Sequence, residues 1–194
     1  MKVKYSTKPV VAAPFGMTLG GGTELCLPAA RVQASSESYM GLVETGVGLI
    51  PGGGGNKELY LNYLKGLPEG VKPDIQEAAI KTFETIALAK TSTSAQEAKE
   101  LNILTAEDQI SINQDHLLYD AKKLVLTLSE SGYRPQVKKK VPVTGETGYA
   151  AQLLGAESLK MSGAISEHDM KIAKKLAFVI AGGRVPFGAE VTEE

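Results

Sequence analysis

Cysteine and histidine are scarce in this 194-residue chain, which has one cysteine, Cys26, and two histidines, His116 and His168. That scarcity excludes a thiolate zinc cluster and a disulfide within the chain. An excess of charge of one sign is also missing: 21 basic and 22 acidic residues leave a net charge of −1, so no global field draws the chain to nucleic acid or to an anionic membrane. No run of about 18 apolar residues occurs that could cross a bilayer. The opening residues, Met1 to Thr7, lack the apolar stretch of an export signal. No Gly-x-Ser-x-Gly elbow is present for a serine hydrolase, no Gly-Lys-Ser/Thr closes a phosphate loop, and neither glycine run has the spacing of a dinucleotide fingerprint. The expectation is a cytoplasmic protein with no metal, and with neither nucleic acid nor membrane as partner. His116 and His168 read as surface or capping residues beside Asp115 and Asp169, Cys26 as a small buried apolar residue, and Lys138 to Lys140 as a solvated connector.

What the chain does have is glycine in clusters, each with a glutamate. Gly20, Gly21 and Gly22 precede Glu24; Glu44 precedes Gly46, Gly48 and the run Gly52 to Gly55. Glycine lets backbone N–H groups approach a ligand oxygen with no Cβ in the way, and two carboxylates can divide acid and base roles. The chemistry this suggests is proton movement beside a stabilised oxyanion. Alone, Glu24 could simply be a first-turn glutamate favouring a helix dipole, Glu44 a solvated loop carboxylate, and Gly52 to Gly55 a flexible connection.

The order of elements is α/β early and helical late. Pro9 to Ala13 reads as a buried strand, a helix follows the triple glycine, and Arg31 to Ser35 reads as a second strand. Helices are expected from Lys57 to Leu64, from Ile75 to Lys90 capped by Asp74, and from Ser94 to Asn102 with a capping-box pattern. Further helices are expected over Gln114 to Glu130, Glu146 to Met161, and Glu167 to Ala181 capped by Ser166 with Asp169. The texture changes near Leu67 to Gly70.

Lys8 to Ala13, the LGGGTEL stretch from Leu19 to Leu25, Glu44 twenty positions after Glu24, and GLIPGGGG from Gly48 to Gly55 together resemble the crotonase (enoyl-CoA hydratase/isomerase) superfamily over about residues 8 to 104. The tail, with Tyr133-Arg134-Pro135 and Ala181 to Gly188, resembles the end of bacterial fused 3-hydroxyacyl-CoA dehydrogenase/enoyl-CoA hydratase proteins. The resemblance implies a partial crotonase-like ββα fold: residues 1–66 as the second half of the active-site core, and 67–194 as the helical C-terminal region of the same domain. It implies Glu24 and Glu44 as the catalytic pair, Gly21 as one of two oxyanion donors, and Gly20, Gly22, Gly52 and Gly53 as substrate-binding neighbours. The substrate implied is an acyl-CoA, with no cofactor in this segment and NAD reserved for an upstream dehydrogenase; some homo-oligomer is implied as well. Keeping both glutamates favours hydration over isomerisation, with an isomerase, another CoA-ester lyase or a non-catalytic assembly module as alternatives. Pro14-Phe15, Pro28-Ala29-Ala30 and Asn56-Lys57 depart from the family's usual residues. The family's upstream Ala-Gly-Ala-Asp segment, source of the other oxyanion donor, has no counterpart among the 194 residues, so the expectation is a piece of a longer chain with little hydratase turnover of its own.

Overall fold

A computed structural model describes residues 2–65 and 74–193. The texture change near Leu67 to Gly70, and with it the expected 66/67 division, lies outside the described residues. Contacts group the chain into two compact units, each made from two separate stretches: Met1–Leu42 with Thr91–Lys138, and Val43–Lys90 with Lys139–Glu194.

The first unit is built on short parallel strands. β1 (Val11–Ala12), β3 (Arg31–Ser35) and β5 (Gln109–Ser111) form one parallel sheet in the order β1-β3-β5. β2 (Gly16–Leu19) and β4 (Ser38–Gly41) form another, with Gly16 opposite Ser38 and Leu19 opposite Gly41. Between them runs α1 (Gly21–Cys26). The expected order of strand, glycine turn and helix therefore needs correcting: β2 intervenes, and it, not β1, feeds the turn. Pro14 has no N–H to continue the first ladder, and Gly16, at φ +58°, turns the chain into a new strand. Val32, Ala34, Met40 and Leu42 from β3 and the β4 region are buried with Cys26, Ala98, Leu104 and Leu117. Asp108 is buried among them, accepting from the Val32 N–H at 2.7 Å and from the Thr105 N–H at 2.6 Å, so its charge is matched by donors.

α4 (Ala95–Glu100) starts as its sequence suggests on one side only. Ser94 accepts from the Glu97 N–H at 3.1 Å, but the Glu97 carboxylate turns to the Thr93 N–H and hydroxyl at 2.7 and 2.6 Å. Those Thr93 donors hold the Glu97 carboxyl below its usual value. α5 (Leu117–Glu130) follows a single 3₁₀ turn at Gln114–His116 and ends where Gly132 takes φ +80°.

The second unit is mainly helical: α2 (Gly55–Lys65), α3 (Ile75–Ala87), α6 (Gly145–Met161) and α7 (Glu167–Ile180), with an antiparallel pair of β6 (Val141–Pro142) and β7 (Glu190–Val191). α3 shows why the sequence pattern was readable. Asp74 accepts from the N–H groups of Gln76 and Glu77, and the recurring Ala78, Ala79, Phe83 and Ile86 are the buried face. α7 has the full capping box: Ser166 accepts from the Asp169 N–H while Asp169 accepts from the Ser166 N–H and hydroxyl. Met170, Ala173, Leu176 and Ala177 line its buried side. Gly145 and Gly182 are glycines by necessity, since both have positive φ and a Cβ would collide with the Val185 carbonyl at the first and the Val143 side chain at the second.

Candidate active site

The glycine cluster of the first unit is a strand-to-helix corner. Gly20 sits at φ +54° and ψ −122°, a conformation open to glycine, and donates its N–H to the Gly41 carbonyl at 2.8 Å. The first intrahelical bond runs from the Glu24 N–H to the Gly20 carbonyl at 3.0 Å, which leaves the Gly21 and Gly22 amides at the open helix end. Among the described residues nothing accepts from either amide. The two positions differ in their surroundings. A Cβ on Gly21 would meet open space, whereas one on Gly22 would press on Thr18 Cγ2 at 3.3 Å. Gly22 is thus a packing glycine, and Gly21 borders open space.

Thr23, inside the motif yet unremarked in the sequence reading, fixes this corner. Fully buried, its hydroxyl donates to the Thr18 carbonyl at 2.6 Å and accepts from the Gly41 N–H at 3.1 Å. One side chain therefore ties α1 to both strands of its sheet, and with it the half-buried Glu24 on the next position. Cys26, at the end of the same short helix, is buried as expected. Burial, helped by the Asp108 carboxylate, pushes its thiol up to about 11, so it is inert as a nucleophile.

In the second unit Glu44 opens a single 3₁₀ turn, Glu44–Val47. Gly48 ends it in the left-handed region at φ +85°: its N–H donates to the Thr45 carbonyl at 3.1 Å and the Leu49 N–H to the Glu44 carbonyl at 3.0 Å, a Schellman closure. A Cβ at Gly48 would come 3.6 Å from the His168 Nε2. The Glu44 side chain is half-buried, with one carboxylate oxygen out of solvent. Thr45 is buried and donates its hydroxyl to the Ile86 carbonyl at 2.8 Å.

The second glycine run follows. Gly52 and Gly53 are exposed, Gly54 takes φ +111°, and the Glu58 N–H donates to the Gly54 carbonyl as α2 begins. Gly52 borders a cavity of about 410 Å³ whose walls include Asn56, Tyr60, Val141 and Ile180. Asn56 is nine-tenths buried and its amide is oriented by donation to the Pro51 carbonyl at 2.8 Å. Tyr60 donates to the Pro142 carbonyl, and burial pushes its hydroxyl up to about 12. Beside it, burial alone would lower the Lys57 ammonium, but the Glu58 and Glu193 carboxylates at 2.8 and 3.0 Å more than reverse that and raise it. None of Thr23, Thr45 or this ion cluster was singled out from the sequence, because each depends on a partner far along the chain: Gly41, Ile86 and Glu193 in turn. Among the described residues no cluster of three or more His, Cys, Asp or Glu could hold a metal, and no helix is long and apolar enough to cross a membrane.

No family model matches the chain. Over all 194 residues it is 73% identical to a probable 3-hydroxyacyl-CoA dehydrogenase of Bacillus subtilis, covering 24% of that protein. It is 31% identical over 127 residues to a putative fatty acid oxidation complex trifunctional enzyme of Rickettsia felis, a stretch that is 66% of this chain and 16% of the relative. The chain thus spans a quarter or less of these relatives' lengths. Among solved structures, an enoyl-CoA hydratase from Bacillus anthracis aligns with a TM-score of 0.50 and 25% identity, over 92% of this chain and 55% of that one. By fold the chain is crotonase-like, and by sequence it is a homologue of one segment of longer 3-hydroxyacyl-CoA dehydrogenase and fatty-acid-oxidation proteins.

Proposed function

We propose that this chain is the C-terminal part of an enoyl-CoA hydratase domain in a longer protein that also carries an NAD-dependent 3-hydroxyacyl-CoA dehydrogenase, the whole acting in fatty-acid β-oxidation. The single observation that carries the reading is the corner at Gly20–Glu24: a helix-start amide that no described residue accepts from, on a glycine with open space at its Cβ position, and a glutamate three positions on. The hydratase likeness of the fold and the dehydrogenase name of the full-length relative support it from two sides.

In this reading the thioester oxygen of a trans-2-enoyl-CoA accepts from the Gly21 N–H, and the start of α1 adds its dipole as negative charge builds on that oxygen. Glu24 and Glu44 divide the remaining work. One takes a proton from water as its oxygen adds to Cβ, and a proton is delivered to Cα on the same face, giving a 3-hydroxyacyl-CoA. Gly52 and Gly53 shape the acyl side of the pocket, with Gly20 and Gly22 holding the Gly21 amide in position. Oxidation of the new hydroxyl requires NAD bound outside this chain, because neither glycine run here has dinucleotide spacing.

Hydration of crotonyl-CoA by the full-length protein tests the reading. Glu24→Gln and Glu44→Gln are each expected to lower kcat by about 10²- to 10⁴-fold. Hydration untouched by both changes would defeat the assignment, and double-bond migration in place of hydration would favour the isomerase alternative. The 194 residues alone, with one oxyanion donor, should lack about 2.7 to 4 kcal/mol of transition-state stabilisation and turn over negligibly.

A further inference from the structure

We propose that Thr45 is the positioning residue for the Glu44 carboxylate, an inference that rests on the catalytic role proposed for Glu44 above. The bonds inside the Glu44 turn fix its shape. The Gly46 N–H donates to the Val43 carbonyl at 3.0 Å, and the Gly48 and Leu49 N–H groups close the far end. None of these bonds fixes where the turn sits. An anchor to α3 is the Thr45 hydroxyl, which reaches the Ile86 carbonyl in the last turn of that helix at 2.8 Å.

The acceptor suits the task. Ile86 lies among the last carbonyls of a helix, which have no intrahelical partner, and it takes the Ala89 N–H at 3.0 Å on one lone pair and Thr45 on the other. The surroundings make the bond matter for position as well as for stability. Thr45 forms part of the wall of an apolar cavity of about 80 Å³, lined also by Phe83, Leu88, Leu159, Ile172 and Leu176. Among the described residues Asp169 is the one charged residue on that wall, and its carboxylate is already engaged by the Ser166 N–H and hydroxyl. With the hydroxyl gone, the turn has space to shift into and loses its bond to α3. Glu44 is the adjacent residue on the same single turn, so it moves with Thr45, and a misplacement of about 1 Å can cost on the order of 100-fold in rate.

The test is steady-state hydration by the full-length protein as a function of pH. Thr45→Val keeps shape and removes the bond. It is expected to lower kcat roughly 10- to 100-fold, leave KM within about threefold, and displace the limb of the kcat–pH profile that reports the carboxylate. Thr45→Ser keeps the hydroxyl and should restore kcat to within about threefold of the parent. If the valine variant fails to fold, Thr45→Ala, which also lacks the hydroxyl, is read against serine in the same way. A kcat and pH profile equal to the parent's in the hydroxyl-free variant, beside an inactive Glu44→Gln, would overturn the inference; so would a serine variant as impaired as valine, which would assign the effect to the methyl group. Full activity in Glu44→Gln is a different result and removes the underlying reading instead.

Discussion

At the scale of single residues, two strongly displaced protons sit on groups that do no chemistry in this reading. The Cys26 thiol is pushed from 9.0 to about 11 by burial and the Asp108 carboxylate, and the Tyr60 hydroxyl from 10.0 to about 12 by burial. Both therefore hold their protons more tightly folded than unfolded. Between about pH 9 and 11 the unfolded chain has released the thiol proton that the folded chain keeps, so stability must fall as pH rises, by up to about 1.4 kcal/mol per pH unit for each such group. Well below pH 8 neither contributes a slope. Urea midpoints measured from pH 8 to 11 should decline above 9, and Cys26→Ala should flatten the first part of that decline; a level profile in the parent chain to pH 10.5 would refute it. The same scale shows what the sequence could and could not disclose about the site. Gly21, Glu24 and Glu44 stand out as candidates because they lie in contiguous motifs. Thr23 and Thr45 do not, because their partners Gly41 and Ile86 lie 18 and 41 positions away and a threonine's hydroxyl gives no hint of its acceptor.

Elements were legible where their signals are local. Asp74 and Ser166 cap N–H groups two or three residues ahead, and the apolar spacing of α3 lies within one window. Asp74→Ala should cost about 1 kcal/mol, because two first-turn amides lose their acceptor. Chemical denaturation of the chain would measure it, and a change below about 0.3 kcal/mol would mean that water caps α3 equally well. The short parallel strands were illegible for the opposite reason. β2 is four residues with a glycine at its head, and its partner β4 begins at Ser38, so neither periodicity nor a turn motif announces the pair. β5 is three residues long and pairs with β3 across more than seventy positions. The capping box expected at Ser94 formed only in part because Thr93 offers Glu97 two donors where Ser94 would offer one.

On the scale of the molecule, near-zero net charge coexists with exposed apolar side chains in the first unit: Phe15 at 60%, Met17 at 82% and Leu25 at 68% exposure. Such a surface favours association, in line with the homo-oligomer that the resemblance implies. Sedimentation of the 194-residue chain should show mass rising with concentration, and Met17→Lys with Leu25→Lys should suppress it; a clean monomer at high concentration would count against assembly. The two compact units also have an interleaved chain order: the first draws on stretches either side of Val43–Lys90, and the second on stretches either side of Thr91–Lys138. A ribosome releasing this chain from its N-terminal end has emitted Lys90 before either unit has its second half, and Lys138 before the later one has received α6 or α7. Strand β3 must wait for β5, and the Glu44 turn for the helix that supplies His168, so nascent intermediates should carry unpaired strand edges for longer than in a chain whose units are read out one after the other.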